Sequence, residues 1–355
     1  MSQRMQLLDC TLRDGGFEFE DAAKYGLTAD SFTPEVVASL IRCLQESELD
    51  IVELGLMERS DQDRRRFAIY QGIEEISQTM PRSWPRKQMY TAMYRGPDTP
   101  LEEVPEWRPC YCDAVRVILR YSELQKSLDF CAAHAKKGYK VFIQPSVTMR
   151  YSDEELRKLV AAANEMGAYA LYMVDTYGYM RDRDVLRIFA LYDEGLHPSV
   201  RVGFHAHNNM GLAFSNALAF IERQTERKII VDSCMMGFGQ GAGNLQTEVI
   251  TAHMNRRYAT QYQYGPILDA CEIIGRYYAE NLSGYAVAHF LSALHQTAYR
   301  YSLALRKQYG FSYREMDQIF GHMTEDLRHR CTPENIEKLL ELSGFSGAGR
   351  LGTQK

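Results

Sequence analysis

The sequence lacks the features that would assign the protein to several common functional classes. It has no excess of positive charge, because 46 Asp and Glu residues outnumber 41 Lys and Arg residues and leave a formal net charge of −5. Binding to nucleic acid or to a membrane surface is therefore not expected as the main function. No apolar run is long enough to span a bilayer. Eight cysteines form no Cys-x-x-Cys pair and no signal peptide precedes Met5, so we expect reduced thiols in a cytoplasmic protein.

Short apolar runs recur along the first two thirds of the chain, and amphipathic stretches separate them. Eight runs are predicted as strands: Met5–Leu12, Asp50–Leu56, Gln88–Tyr94, Ala114–Arg120, Lys140–Ser146, Ala170–Thr176, Arg201–His207 and Ile229–Met235. Five stretches between them are predicted as helices: Pro34–Glu46, Leu124–Lys137, Asp153–Met166, Asp182–Leu191 and Leu212–Arg223. Strands that alternate with helices pair in parallel. Eight such units in about 240 residues predict a (β/α)8 TIM barrel.

An open, doubly wound sheet is the main alternative to the barrel. Such a sheet should carry a Gly-rich phosphate turn after its first strand, and the segment from Asp14 to Phe17 does not follow that pattern. Polar residues instead follow the carboxyl ends of the predicted strands: Asp14, Gln144, Asp175, Thr176, His205, His207 and Asn244. These ends meet at one mouth of a barrel, where the active site forms. The pattern therefore favours the barrel.

From about residue 261 onward, the pattern predicts helices only. The predicted helices are Ile267–Asn281, Ala286–Tyr309, Ser312–His322 and Thr332–Leu342. The last dozen residues are rich in glycine, which is typical of a mobile terminus. The sequence thus predicts a catalytic barrel domain at residues 1–260, a helical C-terminal domain at 261–343 and a flexible tail at 344–355.

One group of residues indicates metal chemistry. His205 and His207 are two positions apart on a predicted strand, so their side chains point to the same face and can bind one metal ion. Asp14 can add a carboxylate, and Arg13 a fixed positive charge where an enolate develops. Such a site keeps coordination positions open for a substrate and favours carbon–carbon bond chemistry. Either histidine can also be a hydrogen-bonded core residue, and Arg13 and Asp14 can form a surface ion pair.

Three segments resemble the signatures of the DRE-TIM metallolyase superfamily, also called HMGL-like. They are Asp9-x-Thr11-Leu12-Arg13-Asp14-Gly15, His205-x-His207-Asn208 and the Gly-rich run from Gly237 to Asn244. The resemblance implies that Asp14, His205 and His207 bind a divalent metal, Mn²⁺ or Mg²⁺. It also implies that Asn244 approaches or completes this metal site, and that Arg13 stabilises the enolate of a 2-oxo acid such as pyruvate.

Within the superfamily, the chain is most similar to the 4-hydroxy-2-oxovalerate aldolase branch. The run from Gly241 to Val249 resembles a loop of that branch, and Gly284-Tyr285-Ala286 resembles the start of its helical C-terminal domain. A tyrosine of this segment reaches the active site in the branch, which implies a catalytic role for Tyr285. We therefore expect an aldolase, which is a carbon–carbon lyase. A Claisen-type condensing enzyme that uses an acyl-CoA, like isopropylmalate synthase, is the alternative.

One position departs from the aldolase pattern. Phe17 stands where the aldolases have a catalytic histidine. Glu18 and Glu20 are near in sequence and can substitute as base, because an apolar pocket raises the pKa of a carboxyl group. Both can also belong to a solvated loop. A barrel that has lost catalysis and acts as a scaffold is a further alternative, which the retained Arg13 and metal-site residues argue against.

Other residues are predicted to contact the substrate. Glu53 lies inside an apolar strand and needs a partner, for which Arg13 or Arg120 is available. Thr176 and Gln144 are polar residues at strand ends. For partners, the resemblance implies a small 2-oxo acid and an acylating aldehyde dehydrogenase that binds the C-terminal helices, and the C-terminal extension can also form a homodimer.

Overall fold

The computed structural model describes residues 4–24, 31–82, 86–278 and 284–346. The prediction of a TIM barrel followed by helices is confirmed. The strands are β1 Met5–Asp9, β2 Ile51–Met57, β3 Ile69–Tyr70, β4 Met89–Tyr94, β5 Ala114–Leu119, β6 Lys140–Pro145, β7 Ala170–Asp175, β8 Arg201–Ala206 and β9 Ile229–Ser233. All adjacent strands pair in parallel, and the short β3 extends β2 at the side of the barrel. The eight predicted strands correspond to β1, β2 and β4–β9.

The barrel closes where the first strand meets the last and the second. β1 pairs with β9 over five residues in register, from Met5 opposite Ile229 to Asp9 opposite Ser233. Its pairing with β2 is shorter, with Leu8 opposite Ile51 and Asp9 opposite Val52. Because all strands run in the same direction, their carboxyl ends lie at one mouth.

Helices surround the barrel and continue after it. They are α1 Thr11–Lys24, α2 Pro34–Glu46, α3 Ile73–Ile76, α4 Leu124–Lys136, α5 Asp153–Glu165, α6 Asp182–Gly195, α7 Ala213–Ile221, α8 Thr247–Tyr258, α9 Tyr264–Tyr278, α10 Val287–Leu294, α11 Tyr299–Leu303, α12 Tyr313–Phe320, α13 Glu325–Arg328 and α14 Pro333–Ser343. Side-chain caps begin several of them: the Thr33 hydroxyl accepts from the amide of Val36, and Ser152 and Glu155 form a capping box at α5. No helix in the described ranges is both long and apolar enough to cross a bilayer.

The first helix differs from the sequence prediction. The predicted strand Met5–Leu12 ends at Asp9, and α1 begins at Thr11, so Arg13 and Asp14 lie in the first turn of a helix. Two glycines allow this helix to pack closely on its neighbours. A Cβ atom at Gly16 would lie 1.9 Å from the carbonyl oxygen of Phe67, and one at Gly15 would lie 2.7 Å from the ring of Phe238.

The C-terminal helices form a second hydrophobic cluster. Its buried residues run from Ala288 to Leu340, whereas α9 packs on the barrel cluster through Ile267 and Ile274. The change of cluster therefore comes after α9, while the predicted domain boundary at residues 260 and 261 precedes it. The predicted tail at 344–355 lies outside the described residues from 347 onward, and Phe345 contacts Phe311 in the second cluster.

The prediction of one helix over Ala286–Tyr309 is wrong. The chain breaks after α10, where Gln296 adopts a left-handed conformation with a φ of 52°. It resumes as α11 and continues as a π-helical turn at Ala304–Gln308. This break redirects the chain and brings Tyr299 to the mouth of the barrel.

Candidate metal centre

Three potential metal ligands lie together at the carboxyl ends of the strands. One ligand atom each of Asp14, His205 and His207 lies within 4.8 Å of the other two, and all three residues are buried. Asp14 comes from the first turn of α1, His205 from β8 and His207 from the residue just after β8. The two rings are 4.9 Å apart and nearly perpendicular. The fold thus brings together segments nearly two hundred residues apart.

Several polar atoms of this group are buried without a hydrogen-bond partner among the described residues. They are both carboxylate oxygens of Asp14, Nε2 of His207 and both amide atoms of Asn244, although one oxygen of Asp14 forms an ion pair with Arg13. Buried polar atoms are normally paired, because leaving one unpaired costs free energy. Asn244 lies beside Asp14, since a Cβ atom at Gly239 would contact both side chains. A divalent cation with nitrogen and oxygen ligands fits this set of atoms.

The protonation states of Asp14 and His207 suit a cation. Although burial opposes ionisation of Asp14, Arg13 and the two histidines lower its pKa. Burial lowers the pKa of His207 to about 4, which keeps its imidazole neutral and able to bind a metal. Burial also disfavours protonation of His205, but the hydrogen bond to Asp232 raises its pKa to about 9, so a metal at this imidazole would have to displace a proton.

Two acceptors orient the histidine rings. Nδ1 of His205 lies 3.0 Å from a carboxylate oxygen of Asp232, and Nδ1 of His207 lies 3.0 Å from the backbone oxygen of Asp175. A hydrogen bond at Nδ1 holds the proton there and leaves Nε2 free for a metal. The sequence prediction missed Asp232. Like Glu53, it is an acidic residue inside an apolar strand, so the same argument could have identified it.

Arg13 and Glu53 lie beside this group. Nε of Arg13 donates to Glu53 over 2.9 Å, and Nη1 of Arg13 lies 3.0 Å from Asp14. Arg13 therefore pairs with Glu53, as the sequence suggested. The second partner of Glu53 is the fully buried Arg116, at 3.1 Å, and not Arg120. Arg116 also pairs with Asp232. This chain of charges links Arg13 to the acceptor of His205.

The two other predicted substrate contacts lie in different places. Thr176 borders a cavity at the mouth together with His207, and its hydroxyl accepts a 2.7 Å hydrogen bond from the amide of Val147. Gln144 is buried beside Arg116, and its amide oxygen accepts from that guanidinium over 3.2 Å once the amide is oriented to satisfy both groups. The structure thus brings Thr176 to the mouth and Gln144 to the interior.

Glu20, one of the two carboxylates expected to act as base near Phe17, does not have the raised pKa that was predicted. Phe17 is buried, and the guanidinium carbons of Arg95 and Arg13 lie 4.7 and 5.7 Å from the centre of its ring. Glu20 forms ion pairs with Arg95 and Arg64, and although burial opposes ionisation these cations lower its pKa to about 2. The expected rise in the pKa of Glu20 is therefore wrong. Glu18 is fully buried within α1.

A different tyrosine from the predicted one borders the mouth. The side chain of Tyr285 is 71% exposed. Tyr299, at the start of α11, borders the same cavity as His207, and its hydroxyl donates to Asp21. Asp21 also accepts from Gln240 over 2.9 Å and from Arg300 over 3.0 Å. No local pattern distinguishes Tyr299 in the sequence, because its position depends on the break at Gln296.

Comparison with known families agrees with this arrangement. The family model described as HMGL-like matches residues 4–274, which is most of the chain. The chain belongs to the HMGL-like family. The matched residues include every strand of the barrel and the three potential ligands of the candidate metal centre.

Relatives of this HMGL-like protein include several aldolases. A 4-hydroxy-2-oxovalerate aldolase of Geobacillus genomosp. 3 is 28% identical over 279 residues, which is 77% of each chain. An oxaloacetate decarboxylase of Mycobacterium tuberculosis is 32% identical over 149 residues, which is 41% of this chain and 42% of the relative. These relatives confirm the prediction of an aldolase-type carbon–carbon lyase.

Solved structures show the same fold. The N-terminal domain of a putative aldolase from Bacteroides vulgatus superposes with a TM-score of 0.70 at 19% identity, and covers 87% of this chain and 98% of that one. The carboxyl transferase domain of Rhizobium etli pyruvate carboxylase superposes with a TM-score of 0.68 at 17% identity, and covers 96% of this chain and 60% of that one. The chain thus shares its barrel fold with both proteins, although their names indicate different reactions.

Proposed function

We propose that this HMGL-like protein is a divalent-metal-dependent aldolase that cleaves or forms the carbon–carbon bond of a 4-hydroxy-2-oxo acid, with pyruvate as one product or substrate. The observation that carries the proposal is the convergence of buried potential ligand atoms from Asp14, His205 and His207, together with the buried amide of Asn244. We assign Asp14, His205 and His207 as ligands of Mn²⁺ or Mg²⁺ and Asn244 as a further oxygen donor.

Arg13 supplies a second source of positive charge at this centre. When bound, the cation polarises the 2-oxo carbonyl group. The guanidinium of Arg13, held by Glu53, offsets the negative charge that develops on the enolate oxygen as the bond to the aldehyde carbon breaks. Because Arg13 is almost fully buried, this charge acts in a region of low polarity, where electrostatic stabilisation is strong.

Proton transfer requires a group other than residue 17. Retro-aldol cleavage removes the proton of the substrate's 4-hydroxyl group, and Phe17 cannot accept it. Tyr299 borders the cavity and its hydroxyl donates to Asp21, so the phenol oxygen can take the substrate's proton as it passes its own proton to that carboxylate. Tyr299 and Asp21 are therefore our candidates for the proton-transfer pair.

The cavity at the mouth favours a small acid over an acyl-CoA. Its volume is about 270 Å³, whereas pockets for drug-sized ligands occupy about 300–1,000 Å³. Coenzyme A is larger than most drug-sized ligands. The Claisen-type condensation is thus less well supported than the aldolase reaction, and the unpaired atoms at the metal centre argue against a non-catalytic scaffold.

The decisive experiment measures pyruvate release and metal content together. Purified protein is incubated with 4-hydroxy-2-oxovalerate after loading with Mn²⁺ or after chelation, and we expect pyruvate only from the loaded sample. His207→Gln should lose both bound metal and activity. His134→Gln is the matched control, because His134 is also a buried histidine but lies on α4, away from the metal centre. Turnover that is indifferent to chelation would contradict the proposal.

Decarboxylation of a 3-carboxylated 2-oxo acid is a second candidate, and Phe17 favours it. Loss of carbon dioxide from oxaloacetate leaves the same pyruvate enolate but needs no base, so an apolar residue at position 17 is no obstacle. The oxaloacetate decarboxylase relative supports this reading. Oxaloacetate consumption by the loaded protein, without aldol cleavage in the same preparation, would favour decarboxylation over the aldolase reaction.

A homodimer formed by the C-terminal extension and an acylating aldehyde dehydrogenase as partner remain proposals. Light scattering of the full chain tests self-association. A larger complex formed only when such a dehydrogenase is added would support the partner.

A further inference from the structure

The cavity at the mouth has an unusual charge composition. It is lined by Ile118, Leu119, Arg120, Tyr121, Ser146, Val147, Arg150, Thr176, Tyr177, His207, Asn209, Gln240, Ala298, Tyr299, Arg300 and His329. Three of these residues are arginines and none is an aspartate or glutamate. Because His207 belongs to the lining, the cavity leads from the metal centre to these arginines. An anionic group in the cavity would therefore meet positive charge without a competing carboxylate in the wall.

Two of the three arginines are paired with carboxylates. Arg120 donates to Asp98 over 2.6 Å and to Glu123 over 3.1 Å. Arg300 donates to Asp21 over 3.0 Å. Their charge is largely neutralised by these partners. The imidazole of His329 is also engaged at both nitrogens, by the hydroxyl of Tyr177 and by Glu325.

Arg150 is different. Its nearest carboxylate oxygen belongs to Glu325 at 3.9 Å, which is too long for a hydrogen bond. Glu325 is itself bound by His329 and Arg328. In the part of the chain that the structure describes, the guanidinium of Arg150 has no hydrogen-bond partner. It lies over the ring of Tyr121, 4.1 Å from its centre, and is one-third exposed. Stacking holds the guanidinium plane and leaves its N–H groups available at the edge, which suits a carboxylate.

We propose that the substrate carries a second carboxylate on the half that points away from the metal centre, and that Arg150 binds it. This inference rests on the proposed function, since it takes the 2-oxo acid end to lie at the metal centre. The substrate class is then a dicarboxylic 2-oxo acid, and its aldehyde product is an aldehyde acid rather than a simple alkyl aldehyde. Arg150 is thereby a specificity-determining residue.

Binding of uncleavable ligands tests the inference independently of turnover. 2-Oxoglutarate and 2-oxovalerate have the same chain length and differ in having a carboxylate or a methyl group at the far end. By calorimetry with the Mn²⁺-loaded protein, we expect 2-oxoglutarate to bind about tenfold more tightly, as a charge-assisted hydrogen bond allows. Arg150→Gln should reduce this preference to about threefold or less. Arg120→Gln is the control, since its paired charge should leave the preference within about twofold of the parent value.

Turnover separates a failure of this inference from a failure of the proposed function. 4-Hydroxy-2-oxoglutarate and 4-hydroxy-2-oxovalerate form a matched pair of cleavable substrates, and we expect a higher kcat/KM for the first, lost in Arg150→Gln. Metal-dependent pyruvate release without preference in either assay would overturn the inference and leave the aldolase proposal standing. Preferential binding of 2-oxoglutarate that depends on Arg150, without cleavage of either substrate, would support the inference and overturn the aldolase proposal. Equal binding of the two ligands overturns the inference whatever the turnover.

Discussion

Replacement of Asp232 by asparagine tests how the histidine of β8 is prepared for a metal. Asp232 is fully buried and accepts hydrogen bonds from His205, Arg116 and Tyr172. The oxygen of Asp232 that accepts from His205 also accepts from Arg116, so we expect the amide oxygen of D232N to keep that position and its NH2 group to donate to the hydroxyl of Tyr172. A neutral amide oxygen is a weaker acceptor than a carboxylate, so it holds the proton of His205 on Nδ1 less firmly and favours Nε2, the nitrogen 3.5 Å from Asp14, less as a ligand atom. The variant should therefore weaken His205 as a ligand without removing it.

Two magnitudes follow for D232N. Mutation of the acceptor of a metal-binding histidine typically costs about 10- to 100-fold in metal affinity, and we expect D232N near the lower end because an oxygen remains in place. Breaking a buried ion pair costs about 3–5 kcal/mol, and we expect a value near the lower end, because Arg116 keeps its 3.1 Å contact with Glu53. The assays are calorimetric titration of Mn²⁺ into metal-free protein and urea unfolding of the same samples.

Tyr172→Phe provides the control. It removes one 2.9 Å hydrogen bond to Asp232 and leaves the contact with His205 intact. We expect a loss of about 1 kcal/mol in stability and no comparable change in metal affinity. If D232N lowers stability but leaves the Kd for Mn²⁺ within about twofold of the parent value, below the range for loss of such an acceptor, Asp232 serves only Arg116 and the reasoning is refuted.

Three further predictions concern other parts of the molecule. Burial lowers the pKa of His134 from 6.5 to about 4, so the unfolded chain binds a proton there more readily than the folded protein does. The free energy of unfolding should therefore be highest above pH 6.5 and fall by about 3 kcal/mol as the pH drops toward 4. Unfolding measured across that range should show a smaller decline for His134→Gln, and parallel curves would contradict the assignment. Gly16→Ala places a Cβ atom 1.9 Å from the oxygen of Phe67 and should cost about 1–3 kcal/mol or more in urea unfolding, so an unchanged midpoint would count against the close packing of α1. Glu20→Gln breaks the ion pairs with Arg95 and Arg64 and should lower turnover less than the 10²- to 10⁴-fold expected for loss of a general base; a drop in that range with unchanged stability would restore Glu20 as the base.

The barrel was predictable because each of its units is local. The strands are apolar runs of similar length, and signals such as the capping box at Ser152 lie within a few residues of the helix they begin. Helix α1 was missed, because two adjacent glycines predict a turn. In the structure these two glycines lack the Cβ atoms that would clash with Phe67 and Phe238, which are distant in sequence.

The candidate metal centre was predictable only in part. His205 and His207 share a face through strand geometry alone, and the motif around Asp14 is compact. The hydrogen bonds of Asp232 and Arg116 arise only when β5 and β9 face each other inside the closed barrel, so no local pattern reveals them. Tyr299 on α11 and Arg150 in the turn after β6 line the same cavity. Their proximity depends on how the C-terminal helices pack on the mouth of the barrel, which no local pattern in the sequence reveals.

The closure of the barrel between β1 and β9 also determines the order in which the protein can mature. The two strands are more than two hundred residues apart in the chain, so their pairing closes a long loop and we expect it to form after the local strand–helix units. Asp14 follows one of these strands directly, while Asn244 follows the other after the Gly-rich loop. A growing chain that has not yet released residue 244 from the ribosome holds only fragments of the binding site. Assembly of the candidate metal centre is thus coupled to closure of the barrel between β1 and β9.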